Sequence, residues 1–134
     1  MNINTQWLKY KKSNLKSNLD WLIEHVLKST ILCEYNTKRA LLDIAFESSY
    51  VPARNRYKKE NAKLSDNYHL AHSCLSSNDH DKRAPIDADF KSNQALLDES
   101  YMTEVAPMFE NYDAACIELQ VETLVENYSL RNTL

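Results

Sequence analysis

The chain of 134 residues contains no glycine. At the ordinary usage of about 7%, a chain of this length would contain roughly nine. The dinucleotide-binding fingerprint, the phosphate-binding Walker loop, the nucleophile elbow and the EF-hand calcium loop all require glycine, so the sequence excludes these four motifs. Turns must be built from Asn, Asp, Ser and Pro, and helix ends must use caps other than a left-handed glycine.

Cysteine and long apolar runs are also scarce. The three cysteines, Cys33, Cys74 and Cys116, are widely spaced and form no C-x-x-C pair. We therefore expect reduced thiols in a cytoplasmic protein rather than a disulfide framework. Apolar stretches are only a few residues long, too short to span a bilayer. Charged residues interrupt the lysine-containing start of the chain, so we expect no export signal and no membrane partner.

The composition is that of an ordinary globular protein, with 43% hydrophobic and 26% charged residues. At this length we expect a single helical domain over residues 1–134. The net charge is only −3, but residues 1–65 carry six excess positive charges and residues 66–134 carry nine excess negative ones. Three explanations fit this asymmetry: the two halves pack against each other, identical chains pair head to tail, or a charged partner binds.

The hydrophobic periodicity is helical almost throughout the chain. It predicts helices near residues 4–28, 30–48, 52–75, 93–105 and 107–130, of which the first two can be continuous. Pro52 fits the first turn of a helix, and Pro107 is expected to break or kink the chain. The sequence therefore predicts an all-α fold, a four- or five-helix bundle with a long polar loop around residues 76–92.

No catalytic constellation is evident in the sequence. It contains no H-E-x-x-H motif, and it lacks the Arg–His spacing of some helical ribonucleases, since the first histidine after Arg56 is His69. The cluster His69, His72, Cys74 and His80 has the composition of a zinc site. On a continuous helix, however, Cys74 points about 160° away from His69. We therefore expect solvated or rim histidines, no metal, no cofactor and no enzymatic activity.

Two basic ridges follow helical spacing. One contains Lys9, Lys12 and Lys16 on the first predicted helix, and the other contains Arg56, Lys59 and Lys63 on the third. Such ridges can neutralise nucleic-acid phosphates, but a solvated helix face has the same pattern. A nucleic-acid-binding protein usually has a more positive net charge than this chain. A protein is therefore the favoured partner and nucleic acid the runner-up.

The first helix carries aromatic side chains opposite its leucine face. Trp7, Tyr10 and Trp21 belong to this second stripe. Either the helix is buried on both sides or these rings contact a partner, because tryptophan and tyrosine are enriched at binding hot spots. We predict these three residues as contact anchors, with the basic residues of the two ridges around them as the rim.

The last helix also carries two apolar faces. Its second face, about 140° from the one that contains Cys116, consists of Ile117, Val121, Leu124 and Tyr128. An acidic ridge separates the two faces and consists of Glu118, Glu122 and Glu126. These like charges repel one another slightly, so a basic surface opposite them would explain the ridge. We predict the second apolar face as a homodimer interface, because two-fold dimers are the commonest oligomers.

Three functional hypotheses follow from these patterns. The leading hypothesis is a cytoplasmic, non-enzymatic interaction protein that binds a protein partner and regulates or inhibits it, of the accessory type found in phages and mobile elements. The first alternative is a nucleic-acid-binding regulator that uses the basic helix faces. The second alternative is a small zinc-binding protein.

Overall fold

A computed structural model describes the backbone of residues 3–27 and 29–132 and the side chains of residues 13–27 and 29–130. Within these residues there are three α-helices and no strand: α1 (Ile3–Val26), α2 (Ser29–Ser73) and α3 (His80–Asn132). The prediction of an all-α fold is confirmed, and the predicted count of four or five helices is wrong. Among the described helices, none has the apolar length that crossing a bilayer requires.

The helix count is lower because the helices continue through prolines, and all three prolines of the chain lie inside helices. Pro52 is within α2 and Pro107 is within α3, where the sequence pattern predicted a helix start and a break. A proline inside a helix removes one backbone hydrogen bond and costs about 3 kcal/mol. Ala53 and Val105, close to these prolines, expose only 1% and 2% of their surface. Burial around Pro52 and Pro107 offsets the local cost, so the helices continue.

The predicted long loop around residues 76–92 is also wrong, because the connection spans only residues 74–79 and α3 begins at His80. The backbone N–H and the Oγ of Ser76 both donate to Asp79 Oδ2, at 2.9 and 3.0 Å. The Asp79 N–H donates back to the Ser76 carbonyl at 3.1 Å. This reciprocal turn replaces a glycine turn. Among the polar residues that follow, Arg83 and Asp87 form hydrogen bonds with α2, and most of the others are exposed on the surface of α3.

The described residues form two compact units. The first unit contains the residues up to Glu47 and those from Met108 onward, and thus α1, the start of α2 and the end of α3. The second unit, Ser48–Pro107, is a helical hairpin made by the end of α2, the turn and the start of α3. The expectation of a single domain remains a prediction.

The core of the first unit is partly polar. Its buried side chains are Ile23, Ile31, Tyr35 and Cys116, together with the polar Gln120, Thr123 and Asn127. The buried residues on α3 follow one another at a spacing of three or four, so this helix turns polar side chains inward. Burying a polar group costs free energy unless it is hydrogen-bonded. The packing of this unit therefore depends on hydrogen bonds between its helices.

Candidate functional site

A polar cluster joins the three helices of the first unit. Its hub is the carboxylate of Asp20 on α1, whose Oδ1 accepts hydrogen bonds from Tyr35 OH (2.9 Å) and Arg39 Nη1 (3.2 Å) on α2. The same oxygen accepts a hydrogen bond from Gln120 Nε2 (2.6 Å) on α3. Gln120 also donates to the Lys16 carbonyl oxygen at 3.1 Å. One carboxylate thus fixes the register of three helices.

A second set of polar contacts surrounds Tyr112 on α3. Lys16 Nζ donates to Asp113 Oδ1 (2.8 Å) and lies 5.1 Å from the centroid of the Tyr112 ring. The Tyr112 hydroxyl donates to Asp43 on α2. Burial and then this hydrogen bond raise the pKa of Tyr112, and burial raises the pKa of the enclosed Cys116 thiol. The phenol and the thiol are held in their neutral forms, which suits packing rather than chemistry.

Among the basic residues predicted to form the rim of a partner-binding site, those that the structure describes are either ion-paired or exposed. Lys16 is only 22% exposed at its side chain and forms an ion pair inside the first unit. Arg56 forms an ion pair with Glu104 in the second unit. Lys59 and Lys63 are exposed, and no ion pair to either is found among the described residues. The two ion pairs each join the basic half of the sequence to the acidic half, which supports internal packing as one source of the charge asymmetry.

Among the predicted aromatic anchors, the structure describes the side chain of Trp21. The predicted site residues Trp7, Lys9, Tyr10 and Lys12 have side chains outside the described residues. Trp21 is 59% exposed, and its ring stacks on His25 with the centroids 4.3 Å apart and 20° between the planes. His25 Nδ1 lies 2.8 Å from the Trp21 carbonyl oxygen. The stack presents a large aromatic surface to solvent in a fixed orientation.

The apolar face predicted as a dimer interface lies on the α3 segment of the first unit. Val121 and Tyr128 are 47% and 70% exposed, and Val125 beside them is 58% exposed. Ile117 and Leu124 are half-buried. Polar side chains form the core along this part of α3, so the apolar face remains on the surface. Self-association through this face stays a prediction.

An apolar groove runs between α2 and α3 in the first unit. It has a volume of about 370 Å³ and is lined by Lys38, Leu41, Leu42, Ala115, Glu118, Leu119 and Glu122. Leu41 is 61% exposed, so the groove is open to solvent. Lys38 Nζ lies 3.3 Å from Glu34 Oε1. No ion pair to the acidic ridge is found within the described part of the chain, and the basic surface expected opposite it is not found there either.

Hydrogen bonds between tyrosines and carboxylates connect the two helices of the second unit. Tyr57 OH donates to Asp98 Oδ1 (2.6 Å), and Tyr68 OH donates to Asp87 Oδ1 (2.8 Å). These bonds lower the pKa of both carboxyl groups and raise the pKa of both phenols. Tyr101 stacks on Tyr57 with the centroids 4.4 Å apart, and a hydrogen bond with a neighbouring phenol raises its pKa to about 12. Sequence reasoning assigned Tyr57 and Tyr68 to an apolar stripe and missed these pairs, because spacing within one helix does not show which residues lie opposite.

The histidines considered as zinc ligands do not converge. His72 Nε2 lies 2.9 Å from Asp87 Oδ1, and its Nδ1 lies 3.2 Å from Arg83 Nη1. Because an arginine N–H can only donate, Nδ1 accepts and the ring proton is assigned to Nε2, facing the carboxylate. The other members of the cluster, His69, Cys74 and His80, are exposed. Among the side chains that the structure describes, no group of three or more His, Cys, Asp or Glu could hold a metal ion.

Comparison of the chain with protein-family models, with curated proteins and with solved structures found no significant match. Conclusions about function therefore depend on the surfaces of the two units. These surfaces are the Trp21–His25 stack, the exposed apolar face of α3, the acidic-edged groove and the exposed lysines of α2.

Proposed function

We propose that this protein is a non-enzymatic helical interaction protein that binds a protein partner and regulates or inhibits it, as phage and mobile-element accessory factors do. The observation that carries the proposal is the Trp21–His25 stack. Tryptophan is among the residue types most enriched at binding hot spots. A side chain that is already held in one orientation loses less conformational entropy on binding. An exposed, stacked tryptophan on a packed helix therefore suits a contact anchor.

The chemistry of the first unit supports contact rather than catalysis. Its partly buried charged groups are engaged by one another, as in the Asp20–Arg39 and Lys16–Asp113 pairs. Its exposed side chains include large apolar residues, among them Leu41 and Tyr128. Free cysteines, two of them exposed, support the cytoplasmic location that we propose with this function.

The proposal is tested by affinity capture from the native host after nuclease treatment, followed by mass spectrometry. A protein partner should be captured by the wild-type chain, and Trp21→Ala should weaken its binding by about 30-fold, the effect of a hot spot of about 2 kcal/mol. Leu96→Ala is the matched control, because Leu96 is 62% exposed but lies in the second unit. Circular dichroism shows that both variants remain helical. Equal binding by Trp21→Ala and wild type would contradict the role of Trp21.

The same experiment tests the nucleic-acid alternative, which the exposed Lys59 and Lys63 favour. If the partner is nucleic acid, nuclease abolishes capture and the affinity falls by orders of magnitude between low and moderate salt. Lys59→Ala and Lys63→Ala would then weaken binding to all sequences. A protein partner anchored by Trp21 predicts little effect of these two changes.

We also propose that the chain forms a homodimer through the exposed apolar face of α3. The support is the exposure of Val121, Val125 and Tyr128 along one side of a packed helix. Light scattering should give the mass of a dimer for the wild type and of a monomer for Val125→Glu, because the new charge would be buried without a partner. A wild-type monomer at concentrations well above micromolar would refute this interface.

A further inference from the structure

The groove between α2 and α3 is lined by apolar side chains from both helices. Leu41 and Leu42 form one wall, and Ala115 and Leu119 form the other. Both walls are helices, and the Tyr112–Asp43 hydrogen bond and the Phe46–Phe109 ring contact join α2 to α3 in this unit. A groove bounded by two packed helices is the geometry in which a third amphipathic helix lays down its apolar face. The shape of the groove therefore favours a helical occupant.

The charge of the groove restricts that occupant further. The acidic ridge runs along the α3 edge, with its three exposed glutamates at four-residue spacing, about 6 Å apart along the axis. Like charges at this spacing repel, and no described cation neutralises them. The one lysine that lines the groove, Lys38, is engaged by Glu34. The α3 edge of the groove is therefore negatively charged, and its glutamates are spaced by about one helical turn.

We propose that this groove binds an amphipathic helix whose apolar face is flanked by lysines or arginines at four-residue spacing. The inference rests on the proposed function and specifies the chemistry of the protein partner. The exposed Lys59 and Lys63 of the α2 ridge fit the groove less well than such a partner. Lys59 and Lys63 are followed on the same side of α2 by Asp66, and the neighbouring Tyr57 and Leu64 are half-buried in the second unit. On that side of α2 in the second unit, Leu70 is the one exposed large apolar residue among the described side chains, so a second copy offers less apolar surface beside its basic ridge than such a partner.

The experiment uses fluorescence anisotropy with the full chain and two labelled synthetic peptides at near-physiological salt. The first peptide is alanine-based and helical, with leucines at alternating three- and four-residue spacing and lysines every fourth residue along one flank. The second peptide carries glutamates in place of those lysines. The basic peptide should bind at least tenfold more tightly than the acidic one. The double change Glu118→Lys and Glu122→Lys should weaken basic-peptide binding at least tenfold.

A matched control separates the groove from the overall charge. The double change Glu24→Lys and Glu110→Lys alters the net charge equally, but these exposed glutamates do not line the groove. This control should bind the basic peptide within twofold of wild type. A further variant, Leu41→Ser, should weaken binding without changing any charge. If the two charge variants weaken binding equally, the attraction is only long-range and the proposal is overturned.

Two further outcomes would also overturn the proposal that the groove binds a basic amphipathic helix. If light scattering shows a wild-type dimer that becomes a monomer after Glu118→Lys and Glu122→Lys but stays a dimer after Val125→Glu, a second copy occupies the groove. If neither peptide binds, the groove takes no such helix. In both cases capture of a partner through Trp21 is unaffected, so the proposed function stands. Conversely, nuclease-sensitive capture would refute the proposed function without altering the peptide result.

Discussion

Replacing Asp20 by alanine should destabilise the first unit by about 3 kcal/mol. Asp20 Oδ1 accepts hydrogen bonds from Tyr35, Arg39 and Gln120. Two of these donors, Tyr35 and Gln120, are buried, and each keeps one other hydrogen-bond partner. Loss of each hydrogen bond to Asp20 therefore costs about 1 kcal/mol, near the low end for an unsatisfied buried group. The Arg39–Asp20 pair is partly exposed, with side chains 18% and 39% accessible, and adds about 1 kcal/mol at most. The sum is a large part of a typical total stability of about 5–15 kcal/mol.

Gln120→Leu should cost far less, within about 1 kcal/mol. The Oε1 of Gln120 is enclosed and has no hydrogen-bond partner, so removing it relieves a cost that offsets the two hydrogen bonds lost from Nε2. Asp20 keeps its bonds to Tyr35 and Arg39. In the Gln120→Leu background the cost of Asp20→Ala should fall by about 1 kcal/mol, because the two residues share an interaction.

The assay is urea unfolding followed by tryptophan fluorescence, since both tryptophans, Trp7 and Trp21, belong to α1. The midpoint should decrease while the dependence of the unfolding free energy on urea stays unchanged. The reasoning would be refuted if Gln120→Leu destabilised the chain as much as Asp20→Ala, because the carboxylate would then not be the hub. Purely additive effects in the double variant would refute the shared interaction.

Two further predictions concern titration and thiol chemistry. Hydrogen bonds from tyrosines lower the pKa of Asp87 and Asp98 in the folded chain. These bonds therefore stabilise the second unit at pH values above the unfolded carboxyl pKa of about 4. The stabilisation is lost as the pH falls through the lower pKa values of the folded chain. Circular dichroism during acid titration should show this loss of stability. Changing both residues to Asn should reduce the dependence of stability on pH. The same pH dependence in wild type and double variant would argue against the two hydrogen bonds. A thiol reagent should modify the exposed Cys33 and Cys74 rapidly, but the fully buried Cys116 only on unfolding. Rapid modification of all three thiols in the folded chain would contradict the burial of Cys116.

The helical class and the extent of α1 could be predicted from the sequence. The apolar spacing predicted a helix over residues 4–28, and α1 spans Ile3–Val26. The continuity of α2 through Pro52 could not be predicted, since the local preference opposes it. The helix continues in the folded chain, where the residue after the proline, Ala53, is buried.

The candidate surfaces were only partly predictable. Trp21 and Tyr128 lie on the second apolar faces that the sequence predicts for α1 and α3, and both are exposed. The polar cluster around Asp20 was missed, because an aspartate on a helix has no distinctive spacing. One signal was present: Gln120, Thr123 and Asn127 continue the spacing of Cys116, so polar residues occupy core-facing positions of α3.

The helical class of this protein could be predicted from the sequence alone. The physical reason is local: the apolar spacing matches the helical repeat, and the chain lacks glycine, the residue that most readily adopts the left-handed conformations of tight turns. Which faces of the described helices are exposed depends on how the chain folds. That outcome depends on pairings between distant residues, such as Lys16 with Asp113 and Asp20 with Gln120, 97 and 100 positions apart. Burial and charge compensation are properties of such pairs, and a single helix does not contain them.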